Sequence, residues 1–299
     1  MPPNQAFTVS FDGVPNAPVP SDDDSKIRVA VLGCGMMGQE HISYISGYPS
    51  LRIDYLCDPH EPSLDVSWKV MKEFYREAAV KPTLFTSEDD LLAQAHTIDL
   101  LVICSPNYLH TPALRRWGQH DITILCEKPV AVTQEQHEQL QELQEDPFFM
   151  ARIWVAMEYR YIPAIAKLLD LLPTIGDLRM VTIRENRYPF LHKIGAWNRD
   201  IAKTGDSLVE KCCHFFDLFR LITGKEVKLQ KIRALAQRGF NYQDEQDLYE
   251  TPIMDSAYVT MPFESNSSLI GCLELCMFAE GSRHQEEIIV TGSKVSSWL

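Results

Sequence analysis

A run of aliphatic and β-branched residues, Ile27 to Leu32, enters Gly33-Cys34-Gly35-Met36-Met37-Gly38, and a helix-like segment follows to about Ser46. Strand, glycine turn and helix in that order leave few folds open. Gly33 permits a tight turn, Gly35 lets the backbone approach a pyrophosphate, and Gly38 lets the helix lie close to the strand. The helix N-terminus is then aimed at phosphate charge, with Met36 and Met37 among the expected contacts. Such spacing is weak evidence by itself. Here a second apolar strand, Leu51 to Cys57, ends in Asp58, about 20 residues past the last glycine, where a dinucleotide fingerprint places an acid for the ribose hydroxyls. The conjunction predicts a dinucleotide-binding unit; the plainer reading is a surface Asp after a strand. Asp58 would repel a 2′-phosphate and no Arg stands within several residues after it, so NAD is expected over NADP.

Alternation of strand and helix continues downstream. Strands are expected near Thr83 to Phe85, at Ile98 to Cys104 and at Ile122 to Cys126, with helices near Leu109 to Gly118 and Gln134 to Gln144. This pattern builds a doubly wound parallel α/β sheet, whose ligands lie outside the carboxyl ends of the strands. Two strands end in polar loops, "SPNYLHTP" and "EKPVAVT", so Ser105, Asn107, His110, Glu127 and Lys128 are expected near the cofactor. At 299 residues with 45% hydrophobic content, the chain can build about two cores. The divisions expected are a loose leader over 1–26, a dinucleotide-binding domain over 27–150 and a second domain over 151–299.

Composition excludes several partners. Lys and Arg number 28 against 41 Asp and Glu, a net charge of −13, with no basic run to grip a phosphodiester backbone, so nucleic acid is not expected. The Pro-, Asp- and Ser-rich leader has neither a basic nor an apolar region of a secretory signal, and no stretch offers the roughly 18 apolar residues of a membrane span. The compartment is read as cytoplasmic. The eight cysteines include no C-x-x-C pair and no zinc-ligand pattern, so no metal is expected, and they read as reduced small hydrophobes.

"SLVEKCCHFFDLFRL", Ser207 to Leu221, carries more ionisable chemistry than a buried helix normally tolerates. At helical period Glu210, His214 and Asp217 fall along one side of a single helix, so Glu210 and His214 can touch. A solvated polar stripe is the plain alternative.

Together "GCGMMGQEH", "SPNYLH", "CEKPVAV", "MEYRYIP", "WNRD" and this helix resemble the Gfo/Idh/MocA family of glucose-fructose oxidoreductase and inositol dehydrogenase-type enzymes, in family order over residues 27 to 292. "VEKCCHFFDL" further resembles a subgroup labelled inositol 2-dehydrogenase-like. The resemblance implies a Rossmann domain followed by an α+β domain with a mixed, largely antiparallel sheet that often mediates oligomers, so a homo-oligomer is expected. It implies that Lys128 contacts nicotinamide and substrate, that His214 is the acid and base, and that Glu210 stands where the family usually has Asp. The chemistry agrees: oxidising a secondary alcohol requires removal of the hydroxyl proton, and an imidazole titrating near neutrality is suited to it. A carboxylate can orient that ring, while Lys128 supplies positive charge beside a developing alkoxide.

Arg160, Trp197 and Arg199 are candidate contacts to cofactor phosphate or nicotinamide, with salt bridging or packing as the alternative; Tyr188 is a candidate for lining a polyol pocket. His41 and His110 match family positions and read either as local structural histidines or as functional ones. Two departures stand out. Asp206 occupies the second of two positions where the family commonly has Gly-Gly, either capping the helix or narrowing the pocket. The chain also stops at "KVSSWL" where relatives continue, so the second domain is expected to be incomplete, with an exposed sheet edge. The expected function is NAD-dependent hydride transfer with a cyclic polyol or sugar; a non-catalytic dinucleotide-binding sensor, or an inactive truncated form, is the alternative.

Overall fold

The computed structural model describes residues 26–75, 80–191, 193–238, 253–264, 268–279, 281–294 and 296–298. The expected leader, apart from Lys26, lies outside them. The chain divides into two compact units, one ending at Ala156 and the other beginning at Met157.

In the first unit, β1 (Ile27–Leu32), β2 (Leu51–Cys57), β3 (Thr83–Phe85), β4 (Leu100–Ile103), β5 (Thr123–Cys126) and β6 (Ile153–Val155) form one parallel sheet in the order β3-β2-β1-β4-β5-β6. Helices α1 (Met36–Ser46), α2 (Glu61–Tyr75), α3 (Glu88–Leu92), α4 (His110–Trp117), α5 (Gln134–Gln144) and α6 (Pro147–Met150) make the crossovers. The central strands are apolar without alternation because both faces are covered. Val29 and Val31 pack with Ile42 on one side; Ala30 and Leu32 pack in the cluster of Leu101, Leu114 and Trp117 on the other. Strand β6 pairs with β5 and carries this unit a few residues past position 150. The strand order reverses direction between β1 and β4, which opens a crevice at their carboxyl ends.

The second unit opens with α7 (Pro163–Leu171) and β7 (Leu178–Asn186), continues through α8 (Ile201–Thr204), α9 (Ser207–Glu210) and α10 (Cys213–Thr223), and ends with β8 (Arg233–Arg238), β9 (Met254–Pro262), β10 (Ile270–Cys276), β11 (Glu286–Gly292) and β12 (Ser296–Trp298). Its sheet runs β12-β11-β7-β10-β9-β8; β7 and β10 are parallel and every other pair is antiparallel. Here the strands do alternate. Val181, Ile183, Val259, Met261, Leu273, Leu275 and Val290 face Ile165 and Leu168 of α7 and Leu218, Phe219 and Ile222 of α10. Strand β12 pairs with β11 at Ile289, Val290 and Thr291 and forms that edge of the sheet, while β7 pairs along the other side of β11.

The glycine turn is set by contact rather than by flexibility alone. A Cβ on Gly38 would stand 2.0 Å from the Gly33 carbonyl oxygen, and one on Gly33, whose φ is +96°, would stand 2.5 Å from the Cys104 carbonyl carbon. Around a Gly35 Cβ there is nothing within 4 Å. We therefore expect Gly38→Ala to lower unfolding free energy by about 1–3 kcal/mol in urea titration, with Gly35→Ala staying within about 1 kcal/mol of the parent.

Candidate active site

The carboxyl ends of β1, β2, β4 and β5 gather the residues of the first unit that the motifs single out. Asp58, just past β2, is tied to the glycine turn: its Oδ2 accepts from the Cys34 N–H at 2.7 Å and its Oδ1 from the His60 N–H at 2.8 Å. The carboxylate is thereby oriented, and each oxygen retains acceptor capacity for a ribose hydroxyl. Helix α1 has no acid in its first turn, so its N-terminal N–H groups carry uncompensated positive potential beside the open space at Gly35. Met36 and Met37 form that first turn. After β4, the Ser105 Oγ and Asn107 Nδ2 atoms are buried with no hydrogen-bond partner among the described residues. Buried polar atoms without partners are uncommon, and here they stand where ligands of such sheets lie. A backbone surface left open at Gly35, a helix N-terminus, an oriented acid and two unsatisfied polar atoms fit a dinucleotide.

The loop carrying Lys128 is held from three sides. Glu127 accepts from His41 of α1 across 2.7 Å (Nε2 to Oε1) and from the Lys128 N–H at 3.1 Å. Burial works to raise the Glu127 carboxyl, but the His41 ring and Lys128 together outweigh it and hold the group below the usual carboxylate range. His110 spans two loops, with Nδ1 2.8 Å from the Pro129 carbonyl and Nε2 2.8 Å from that of Ser105. Thr111 donates its hydroxyl to the Val130 carbonyl at 2.6 Å, and the Gln136 side chain joins the Tyr108 carbonyl to the Val132 N–H. The His110 ring is thus engaged on both nitrogens by main chain, which makes it a clasp between the loops. Lys128 itself is half-buried.

In the second unit the expected single helix is replaced by two. Cys212 N–H reaches the Ser207 carbonyl, five residues back, at 3.2 Å, and the wide turn at Lys211 and Cys212 separates α9 from α10. Such i→i−5 widening changes the angular relation of residues before and after it. A carboxylate from another element approaches the imidazole: Glu158 Oε1 lies 3.9 Å from His214 Nε2. Glu158 belongs to a 3-10 turn, Glu158–Tyr161, inside the "MEYRYIP" stretch. The next residue, Tyr159, sets its ring edge-on to His214 with centroids 4.6 Å apart. His214 and Glu210 are both buried.

Behind Tyr159 lies a polar cluster that the motifs do not reveal. The Tyr159 hydroxyl accepts from Lys211 Nζ at 2.6 Å and donates to the Glu286 carboxylate; Lys211 Nζ also lies 3.2 Å from Glu185 Oε1. Glu185 follows the alternation Val181, Ile183, Glu185 of β7, which turns it to the core face. That alternation was readable in "VTIRE". Its second oxygen has no partner among the described residues. Burial, opposed by Lys211 and reinforced by Glu286, raises the Glu185 carboxyl to about 7. Burial acts on Glu286 too, but bonds from Tyr159 and Lys211 keep it ionised. Burial likewise pushes the Tyr159 phenol up.

The remaining candidates are engaged locally. Arg160 forms a two-point pair with Asp217, at 2.5 and 2.6 Å, and Arg199 donates to the Phe190 carbonyl at 2.7 Å. Trp197 is half-buried in the turn Ile194–Arg199, and Tyr188 is exposed, with the Arg187 guanidinium 5.2 Å from its ring centre. Asp206 caps α9: its Oδ1 accepts from the Ser207 N–H at 2.7 Å and, equally short, from the Met254 N–H of β9. Its φ of +75° and ψ of 172° lie in a region glycine occupies freely and other residues rarely do, which gives the physical reason for small residues at this position.

The raised Glu185 carboxyl couples folding to pH. The folded chain keeps a proton that the unfolded chain releases at ordinary carboxylate pKa, so this contribution to stability is complete below that range and is lost as pH rises through about 7. Glu185→Gln should therefore gain in melting temperature relative to the parent between about pH 5 and about pH 8. A difference that stays constant across that interval would contradict the assignment.

Models of the oxidoreductase family match both units, the NAD-binding Rossmann fold over residues 27–147 and the C-terminal alpha/beta domain over 173–297. Inositol 2-dehydrogenase of Rhizobium meliloti is 25% identical over 203 residues, covering 67% of this chain and 56% of that protein. The enzyme of the same name from Corynebacterium glutamicum is 28% identical over 221 residues, covering 71% and 60%. The chain thus spans less than two thirds of the length of these relatives. The crystal structure of a myo-inositol dehydrogenase from Lactobacillus casei in complex with NAD(H) and myo-inositol superposes with a TM-score of 0.70 at 18% identity, covering 92% of this chain and 74% of that one, and shares the fold. Among the described residues no helix is long and apolar enough to cross a membrane. With both domain models matched in order over most of its length, the chain belongs to the Gfo/Idh/MocA oxidoreductase family.

Proposed function

We propose that this protein is an NAD-dependent dehydrogenase acting on a secondary hydroxyl of a cyclic polyol or sugar, in the manner of inositol 2-dehydrogenases. The observation that carries the reading is His214, a buried imidazole at the start of α10 with a carboxylate and an edge-on tyrosine against it, in a chain whose other unit is an NAD-binding domain of the family. A buried, oriented imidazole is suited to proton transfer and is an expensive ornament otherwise.

In this reading Asp58 holds the ribose hydroxyls, and the α1 N-terminus with the Gly35 backbone receives the pyrophosphate. Ser105 Oγ and Asn107 Nδ2 are satisfied by the bound ligand. When bound, the nicotinamide supplies the hydride acceptor. His214 takes the substrate hydroxyl proton on its ring, and Lys128, presented by the clasped loop, stabilises negative charge developing on that oxygen. Glu210, buried just before the wide turn, is the carboxylate that orients the His214 ring and stabilises its protonated form in this reading. Tyr188, Arg160 and Trp197 remain candidates for the substrate and cofactor surroundings, with Arg160 acting through its pair with Asp217.

The test is a panel of inositols and sugars assayed by nicotinamide absorbance. His214→Ala and Lys128→Ala should each lower kcat by about 100-fold or more, with NAD affinity within a few-fold of the parent by calorimetry. Parent-like turnover in both variants would refute the assignment, and NAD binding without turnover of any polyol would favour a sensor. NAD should bind more tightly than NADP, and Asp58→Ala should narrow the difference.

A further inference from the structure

His214 is almost fully enclosed, with 3% of its side chain exposed, and a base in that position has to return each captured proton to water before it can act again. Two groups of the turn Glu158–Tyr161 lie against its ring, and they are not equivalent. Tyr159 meets the imidazole with its ring at an interplanar angle of 69°, while its hydroxyl is directed to Lys211 and Glu286. What Tyr159 presents to His214 is therefore carbon. Burial also raises its phenol, so the hydroxyl keeps its proton and the Lys211 cluster offers no path by that route. Glu158 differs on both counts. Its Oε1 stands 3.9 Å from His214 Nε2 and 60% of its side chain is in solvent. That separation is spanned by one bridging water or by a small rotation of an exposed, flexible side chain.

Resting on the reading of His214 as the base, we infer that Glu158 is the proton outlet of the site. Once product has left, the ring gives up the captured proton from Nε2, the same nitrogen that took it, so the N–H bond breaks and the starting neutral tautomer, with its proton on Nδ1, is restored. An O–H bond forms on the Glu158 carboxylate, directly or through one water. The carboxyl then releases the proton to bulk water, returning Glu158 to its ionised form and His214 to its neutral one. No electrons move in these steps, and the proton released is the one that alcohol oxidation by NAD liberates. The division of labour follows from burial: the enclosed imidazole does the transfer at the reacting oxygen, and the exposed carboxylate exchanges with solvent.

The test uses the full chain and Glu158→Gln, which keeps size and exposure while removing the basic oxygen. In the protein without substrate, at a pH low enough to protonate the ring, NMR measures exchange of the His214 Nε2 proton with water, and Glu158→Gln should slow it about tenfold or more. In steady state at low buffer, kcat on the panel substrate should fall by a similar factor with KM and NAD affinity nearly unchanged, and added imidazole buffer should restore it. Unchanged exchange and unchanged kcat beside a dead His214→Ala would overturn the outlet while leaving the dehydrogenase reading intact. A raised KM with no response to buffer would place Glu158 on substrate instead and would also overturn it. Slowed exchange in a protein that turns over no polyol would show a path to water with no reaction to serve, and would sink the dehydrogenase reading and the outlet with it.

Discussion

The first unit depends on how near its backbones come at one point. Gly38 lies so close to the Gly33 carbonyl, and Gly33 to Cys104, that neither position has space for a Cβ. This approach brings the start of α1 down onto the end of β1 and presses the turn against the end of β4. Everything the site needs from this half follows from that closeness: an exposed helix N-terminus, a turn whose Cys34 N–H reaches Asp58, and a crevice where the strand order reverses. The contact is entirely steric. Gly35 between them contributes something else, an open backbone surface with no side chain to obstruct a ligand.

Once the crevice exists, its loops have to hold shape without regular structure, and the chain does this with side chains bonded to main chain. His110 joins the ends of β4 and β5 through two carbonyls, Thr111 and Gln136 add bonds between the same loops, and His41 fixes Glu127 beside Lys128. Carbonyl oxygens only accept, so a neutral His110 can donate to one of its two neighbours and only the charged ring satisfies both. Burial pushes the ring toward the neutral form against that pull. The clasp is a compromise between solvation and hydrogen bonding, held in place by the surrounding core. Lys128 is thereby presented on a stiff loop, as the role proposed for it beside a developing alkoxide requires.

The second unit reaches its site by a different device. Strand alternation, which elsewhere brings valine and leucine to the core face, brings Glu185 there too, opposite Lys211 on the wide turn between α9 and α10. Burying two carboxylates, a lysine and a phenol together is costly unless each is bonded, and the cluster is arranged accordingly: Lys211 touches Glu185, Glu286 and Tyr159, and the Tyr159 hydroxyl bonds Glu286. The residual strain appears as the proton that Glu185 retains. This cluster fixes Tyr159, Tyr159 packs on His214, and the neighbouring Glu158 is left at the solvent side of the same ring.

Much of this was legible from residues alone, wherever a local pattern carries its own geometry. The glycine spacing with Asp58, the apolar runs of the parallel strands, the polar loops after β4 and β5 and the presence of His214 in a helix all follow from short-range sterics and periodicity, which act within a few residues. The matched motifs extended that to the order of the two domains. The approach of Glu158 to His214 was not legible, because it joins segments far apart in the chain. Nor were the bonds of Arg160 to Asp217, of Asp206 to β9, or of Glu185 to Lys211, each of which joins residues far apart in the chain. The strand β12 that pairs with β11 is a similar case, since three residues near the end of the chain have no pattern of their own. Sequence determined which chemistry each segment could supply, because side-chain type and local spacing are written there. Only the tertiary structure decided which acid meets which base, because burial and the partners of a buried charge depend on segments that come together only when the core is packed.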